Sequence, residues 1–299
     1  MLKEYALQPE LLASWPVCRD LSEKFGYSRG RVIARYPRQW ERMVLEALND
    51  CMPVEKLKIV ERLNILKNSA LYPRHHEWDP EKLWLDNAIA EHAKRPFCAI
   101  ISQDNPNAFA AIICRADLDE LEEPRWQTAR QRRIARTATE MAACVEPLLR
   151  NARTILFVDP RFTPQALRFK RPLHAFLQIV AHRTPALPIE RVEIHTGHES
   201  AGTKEFFRAE CKKHLPSIIP RGIKIRLVRW DQSFLHDRFV LTNSCGLEFS
   251  PGLDENSRTY AHVTLLEPGL YSATWADYQP GSSRIPCIED DLIIEGTAI

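Results

Sequence analysis

Between residues 153 and 250 short apolar runs alternate with amphipathic stretches, and this alternation limits the fold more than any other feature of the chain. Residues 154–158 (Thr-Ile-Leu-Phe-Val) form a continuous apolar run of strand length, closed by Asp159-Pro160. Residues 173–182 read as a helix, 192–196 as a second strand, 204–214 as a second helix and 223–228 as a third strand. Residues 239–242 and 246–249 then flank Asn243-Ser244-Cys245 as a hairpin. A strand–helix–strand succession places its two strands parallel in one sheet, because the crossover returns the chain to the same end. The expectation is an α/β fold: a sheet parallel at its core, mixed at its margin and flanked by helices.

Charge is segregated along the chain. Residues 1–124 hold 17 Lys and Arg against 20 Asp and Glu; residues 125–250 hold 22 against 11; residues 251–299 hold 2 against 8. The basic middle predicts an anionic partner, phosphate-bearing by default, unless the acidic tail folds back and neutralises it. Five arginines between positions 125 and 136 stand at the start of a stretch that reads as one long helix to Arg150, kinked at Pro147.

The first 124 residues read as a mainly helical domain, with apolar stripes over 40–48 and 54–66 and a further helix over 84–92. Two apolar runs, 97–101 and 109–114, face each other across Gln103-Asp104-Asn105-Pro106-Asn107 and predict a β-hairpin. The acidic stretch 117–124 marks the boundary to a second domain, 125–299. Trp15, Tyr36 and Trp40, near Arg29, Arg31, Arg35 and Arg38, suit an adaptor surface for partner proteins.

Several function classes are disfavoured at the outset. The longest apolar run, 108–114, is far short of the roughly 18 residues that a membrane helix needs. The first ten residues carry no apolar stretch of signal-peptide length, so the expected location is cytoplasmic. Eight cysteines without a C-x-x-C pair argue against a zinc knuckle or a disulfide framework. No glycine-rich phosphate loop and no dinucleotide fingerprint occur, and no cofactor is expected.

The chemistry concentrates after the third strand. His236 and Arg238 are two residues apart, so on a strand both side chains would share a face. An imidazole beside a guanidinium suits a phosphate: the ring attacks phosphorus or passes a proton while the planar fork binds two oxygens. Asn243, five residues on, could hold the imidazole tautomer through its amide oxygen.

These residues carry a resemblance. His236, Arg238 and Asn243 stand where the phospholipase D superfamily has His-x-Lys-x4-Asp. The string from Leu235 through Phe239, Asn243, Gly246, Ser250 and Gly252-Leu253-Asp254 is similar to the phospholipase-D-like domain at the C-terminus of microtubule-interacting-and-trafficking domain proteins and their bacterial relatives. The stretch Phe157-Val158-Asp159-Pro160-Arg161-Phe162 resembles the first strand of such domains, where an aromatic is more usual at position 161. The resemblance implies a phosphate-binding module engaging nucleic acid or anionic lipid. Its alternative implication is a metal-independent phosphodiesterase or nuclease that forms a phosphohistidine on His236. Catalytic members use two motifs and this chain shows one, so an active enzyme would be a symmetric dimer sharing its site. Arg for Lys at 238 and Asn for Asp at 243 both depart from the catalytic pattern, the second removing the charge that would stabilise an imidazolium.

Asp159, Arg161, Ser250 and Asp254 are expected to border the phosphate. His195, at the end of the second strand where α/β sheets place their ligands, is expected to join them. His75-His76-Glu77 with Asp79 offers metal-ligand chemistry, although a polar turn is the simpler reading and no metal site is expected.

Overall fold

A computed structural model of the chain describes residues 1–74, 77–119, 123–183, 188–199, 202–282 and 284–298. The chain divides into two compact units, Met1–Ala129 and Arg130–Ile299. Both are α/β.

The first unit contains β1 (Lys3–Leu7), α1 (Trp15–Lys24), β2 (Arg31–Arg35), α2 (Trp40–Ala47), α3 (Pro53–Ser69), β3 (Leu71–Pro73), α4 (Trp84–Lys94), β4 (Ala99–Ser102) and β5 (Ile112–Cys114). The helices expected from the apolar stripes are present, but they flank a five-stranded sheet of order β3-β2-β1-β4-β5 in which every pair is parallel. Side chains alternate as a sheet covered on both faces requires: Tyr5 and Leu7 enter one core with α1–α3, while Ala6 enters another with Trp84 and Ala88 of α4. The expected hairpin of β4 and β5 is corrected: Ile100 pairs with Ile112 and Ile101 with Ile113 in parallel register. The strands are so short that residues 103–111 carry the chain back to the starting end, with the Asn105 side-chain oxygen accepting from the Phe109 amide in the return turn. The unit continues past the expected boundary because Trp126 is built into its core, edge-on to Tyr5 at 5.3 Å and to Phe25 at 5.4 Å.

The second unit contains β6 (Gln131–Ala135), α5 (Ala138–Leu149), β7 (Thr154–Val158), α6 (Leu167–Ala181), β8 (Arg191–Gly197), α7 (Lys204–His214), β9 (Lys224–Trp230), β10 (Phe239–Thr242), β11 (Gly246–Ser250), β12 (Tyr260–Leu265), α8 (Pro268–Asp277) and β13 (Cys287–Glu295). Its eight strands run β13-β9-β8-β7-β10-β11-β12-β6; β7, β8 and β9 are parallel and the rest antiparallel. The long helix expected from Arg125 is corrected: residues 131–135 are an edge strand on β12, and the helix begins only after Thr137, whose hydroxyl accepts from the Glu140 amide. Of Gln131–Ala135 only Ile134 is buried, too little for a helical stripe, whereas Met141, Val145, Leu148 and Leu149 supply one further on. Pro147 lies inside α5.

The two faces of this sheet differ. Phe157 of β7 stacks on Phe176 of α6 at 5.6 Å on one face. On the other, Leu156, Val158, Trp230, Phe239 and Leu241 pack with Tyr278, and α8 contributes Tyr271 and Trp275. No described helix in either unit is long and apolar enough to cross a membrane.

Candidate anion site

Asp159 follows β7 and Arg238 precedes antiparallel β10, so both sit at the carboxyl end of the parallel strands, where open α/β sheets hold ligands. Asp159 is 4% exposed. Its carboxylate accepts from the Arg161 amide at 2.9 Å and the Leu253 amide at 2.8 Å. Burial pushes its pKa above the usual carboxylate value, opposed by those two amides and by the charges of Arg238 and Arg136.

Arg136 and Arg168 complete the group, and no motif marked them. The Arg136 side chain donates from Nε to the Asp254 carbonyl at 2.8 Å and from Nη2 to the Asp254 carboxylate. The Arg168 guanidinium lies 3.6 Å from the other carboxylate oxygen. Gly252 makes the approach feasible: a Cβ there would stand 2.7 Å from the Asp254 carboxylate and 3.1 Å from Arg136 Nη2. Three guanidinium groups thus surround two carboxylates. Arg238 gives Nη1 to the His236 carbonyl, while its Nε is buried and has no partner among the described residues. That unused nitrogen belongs to the edge of the fork that binds two oxygens of a phosphate or carboxylate. Arg161 is exposed beside Asp159.

The structure does not bring the three motif residues together. His236 lines an open cleft against α8, with Asp237, Phe239, Glu248, Asp277 and Arg284 among its walls. Arg238 acts on the other side, on Asp159 and Arg136. The shared-face expectation fails because residues 235–238 are not a strand: His236, Asp237 and Phe239 all line one cleft, which strict alternation would not allow. Asn243 lies at the far end of β10, where its oxygen accepts from the Arg153 amide at 2.8 Å and the Thr154 amide at 3.2 Å. It anchors the start of β7 and does not orient the imidazole.

His195 is also remote from the arginines. It stands on the α8 face, fully enclosed, with its ring edge-on to Tyr278 at 5.4 Å. The Trp230 indole, a donor only, gives its hydrogen to Nδ1 at 2.8 Å, so Nε2 carries the proton and donates to Glu193 at 3.0 Å. Both nitrogens are occupied, which removes His195 from phosphate binding. Burial lowers its pKa, and Glu193 is held anionic below its ordinary value by His195, Arg191 and Arg226 against the burial that opposes them. Ser250 is exposed at the end of β11 and makes no described contact with the arginine group; it pairs across the sheet with His262.

Part of the charge of the basic middle is neutralised by the acidic tail, the alternative that the charge segregation left open. The acidic tail folds in as β13 beside β9, and Lys204, Arg208 and Arg229 all pair with Glu289. Arg226 pairs with Asp290 and Lys224 with Glu295. The arginine group at Asp159 and Asp254 lies apart from these pairs. Among the described residues no cluster of His, Cys, Asp and Glu could hold a metal. His75 and His76 lie outside the described residues, while Glu77 pairs with Lys94 and Asp79 with Lys82.

No family model and no curated protein matches the chain. One similar solved structure is TrmBL2, described as an archaeal chromatin protein with a novel mode of DNA binding. It is 12% identical, over 58% of this chain and 59% of that one, with a TM-score of 0.28. A likeness of that strength carries no argument about this chain.

Proposed function

We propose that the second unit is a phospholipase-D-like phosphate-binding module that engages the phosphodiester of nucleic acid or anionic lipid without cleaving it. The observation that carries this reading is Arg238, whose Nε is unpartnered beside Arg136 and Arg168 at the carboxyl end of the parallel strands. The sheet, parallel at its core and flanked by helices, supports the family resemblance. The position of His236 argues against a phosphohistidine step: its cleft holds Asp237, Glu248 and Asp277 against a single guanidinium, Arg284, which is tied to Asp277 at 2.6 Å. A phosphate brought to that ring would meet net negative charge. Free cysteines throughout suit a reducing compartment, and we place the protein in the cytoplasm.

The test is a salt titration of binding to a labelled oligonucleotide and, separately, to vesicles containing phosphatidylserine; the two arms distinguish the sources of phosphate. Arg238→Ala is expected to weaken binding about tenfold to a hundredfold, the worth of charged hydrogen bonds to a phosphate. His236→Ala should leave affinity within about twofold, a ratio well below 1 kcal/mol. Chelator-resistant cleavage of a phosphodiester that disappears in His236→Ala would sink the reading, as would binding that is indifferent to salt.

A further inference from the structure

We propose that the chain self-associates through the outer face of α3, as an antiparallel helix pair with a second copy related by a twofold axis. The helix is apolar on two sides. Ile59, Leu63 and Leu66 face its own core. The opposite side presents Val54, Leu57, Lys58, Glu61, Asn64, Ile65 and Asn68, all exposed and spaced three or four apart along a single stripe. Leu57 is 71% exposed, Val54 62% and Ile65 49%, with Met52 at the helix entry 66% exposed. Val54, Leu57 and Ile65 share that stripe with two opposite charges and two amides, and exposed branched aliphatics gathered on one helix face mark an interaction surface.

The choice of a second copy comes from the charges in that stripe. In an antiparallel pair about a twofold axis, residue i meets residue j of the partner and j meets i. Placing Val54 against the partner's Ile65 sets the axis midway between them. The same midpoint lies between Lys58 and Glu61, so Lys58 then meets Glu61 of the partner twice over. One placement satisfies both the apolar ends and the opposed charges at the centre, while a lipid surface would leave both central charges unpaired. In the free chain the Lys58 ammonium lies over the Trp15 ring at 5.5 Å, a weak cation–π contact at an exposed site that pairing with the partner's Glu61 would replace. A single helix pair buries less than a standard interface, so association is expected to be concentration-dependent.

Sedimentation velocity on the full chain, over a dilution series without added phosphate, reads this independently of anion binding. Wild type should shift from dimer to monomer on dilution. Lys58→Glu alone and Glu61→Lys alone each create two like-charged contacts and should weaken association by about tenfold or more. The double variant Lys58→Glu/Glu61→Lys should restore it. Mixing the two single variants should also give a dimer, because each then supplies the charge that the other lacks. All three variants alter exposed positions, and far-ultraviolet circular dichroism checks that the fold is kept. A wild type that is monomeric throughout, single variants that associate normally, or a mixture that does not associate would each overturn the proposal.

Discussion

The two faces of the second sheet present the same residue chemistry in opposite arrangements. On the α6 side, three guanidinium groups share two carboxylates, and the buried Nε of Arg238 has no partner among the described residues. On the α8 side, the histidines sit among carboxylates: His195 is closed between Glu193 and Trp230, and His236 opens on Asp237, Glu248 and Asp277. On the proposed reading a phosphate would meet arginines on the first face and an excess of carboxylates on the second. The guanidinium of Arg238 and the imidazole of His236, which the motif spacing placed together, lie on opposite faces of the sheet.

The largest effect that would break this contrast is loss of Arg136. It is buried and supplies two hydrogen bonds to Asp254, so removing it leaves that carboxylate with Arg168 alone at 3.6 Å. Arg136→Ala is expected to cost about 3–5 kcal/mol, the usual penalty for orphaning a buried charge. Hydrogen exchange of peptides from β7 and β8 under increasing urea reports the second unit alone. A loss below about 1 kcal/mol would mean that solvent replaces the arginine freely, as at surface pairs.

The parallel core and its helices were legible because residues 154–158 are a continuous apolar run within β7, while 192–196, within β8, and 223–228, overlapping β9, place apolar residues at every second position. The hairpin of β10 and β11 was legible from its polar turn. In the first unit, by contrast, β2 offers only Val32-Ile33-Ala34 between arginines, too short to separate strand from loop by periodicity. The arginine site was half legible. Asp159, Arg161, Asp254 and Arg238 came from local strings, but Arg136 meets Asp254 across 118 positions of sequence, and nothing local announces that pairing. His236 was misplaced for a local reason, since parity holds only where the chain is a strand.

A smaller effect sharpens the role of the third motif residue, which belongs to neither face. The Asn243 oxygen holds two amides at the start of β7, and Asn243→Ala should cost about 1 kcal/mol through the lost hydrogen bonds. Asn243→Asp keeps the acceptor and should stay near wild type in stability. It should also leave phosphate affinity unchanged, because the carboxylate would stand at the wrong end of β10. An Asn243→Asp variant that gains cleavage activity would show that the residue reaches His236 after all.

The smallest effect tests the closed side of the sheet by pH. His195 has a folded pKa below its ordinary 6.5, because burial disfavours the imidazolium and Nδ1 already accepts from Trp230. The unfolded chain therefore binds a proton that the folded chain refuses, and stability must fall as pH drops through about 6.5. For a folded state that stays unprotonated, the loss between pH 7 and pH 6 is about 0.7 kcal/mol. Glu193, with its folded pKa also lowered, adds a second loss in the same direction only as pH falls below its ordinary 4.5. His195→Gln separates this from other titrations: its amide oxygen can accept from Trp230 and its nitrogen can donate to Glu193, but it takes no proton. The urea midpoint of the second unit should fall between pH 7 and pH 6 in wild type and fall less in His195→Gln. Equal slopes in the two proteins would mean that the imidazole is protonated when folded, leaving two donors facing each other at Nδ1 and reopening that face to anions.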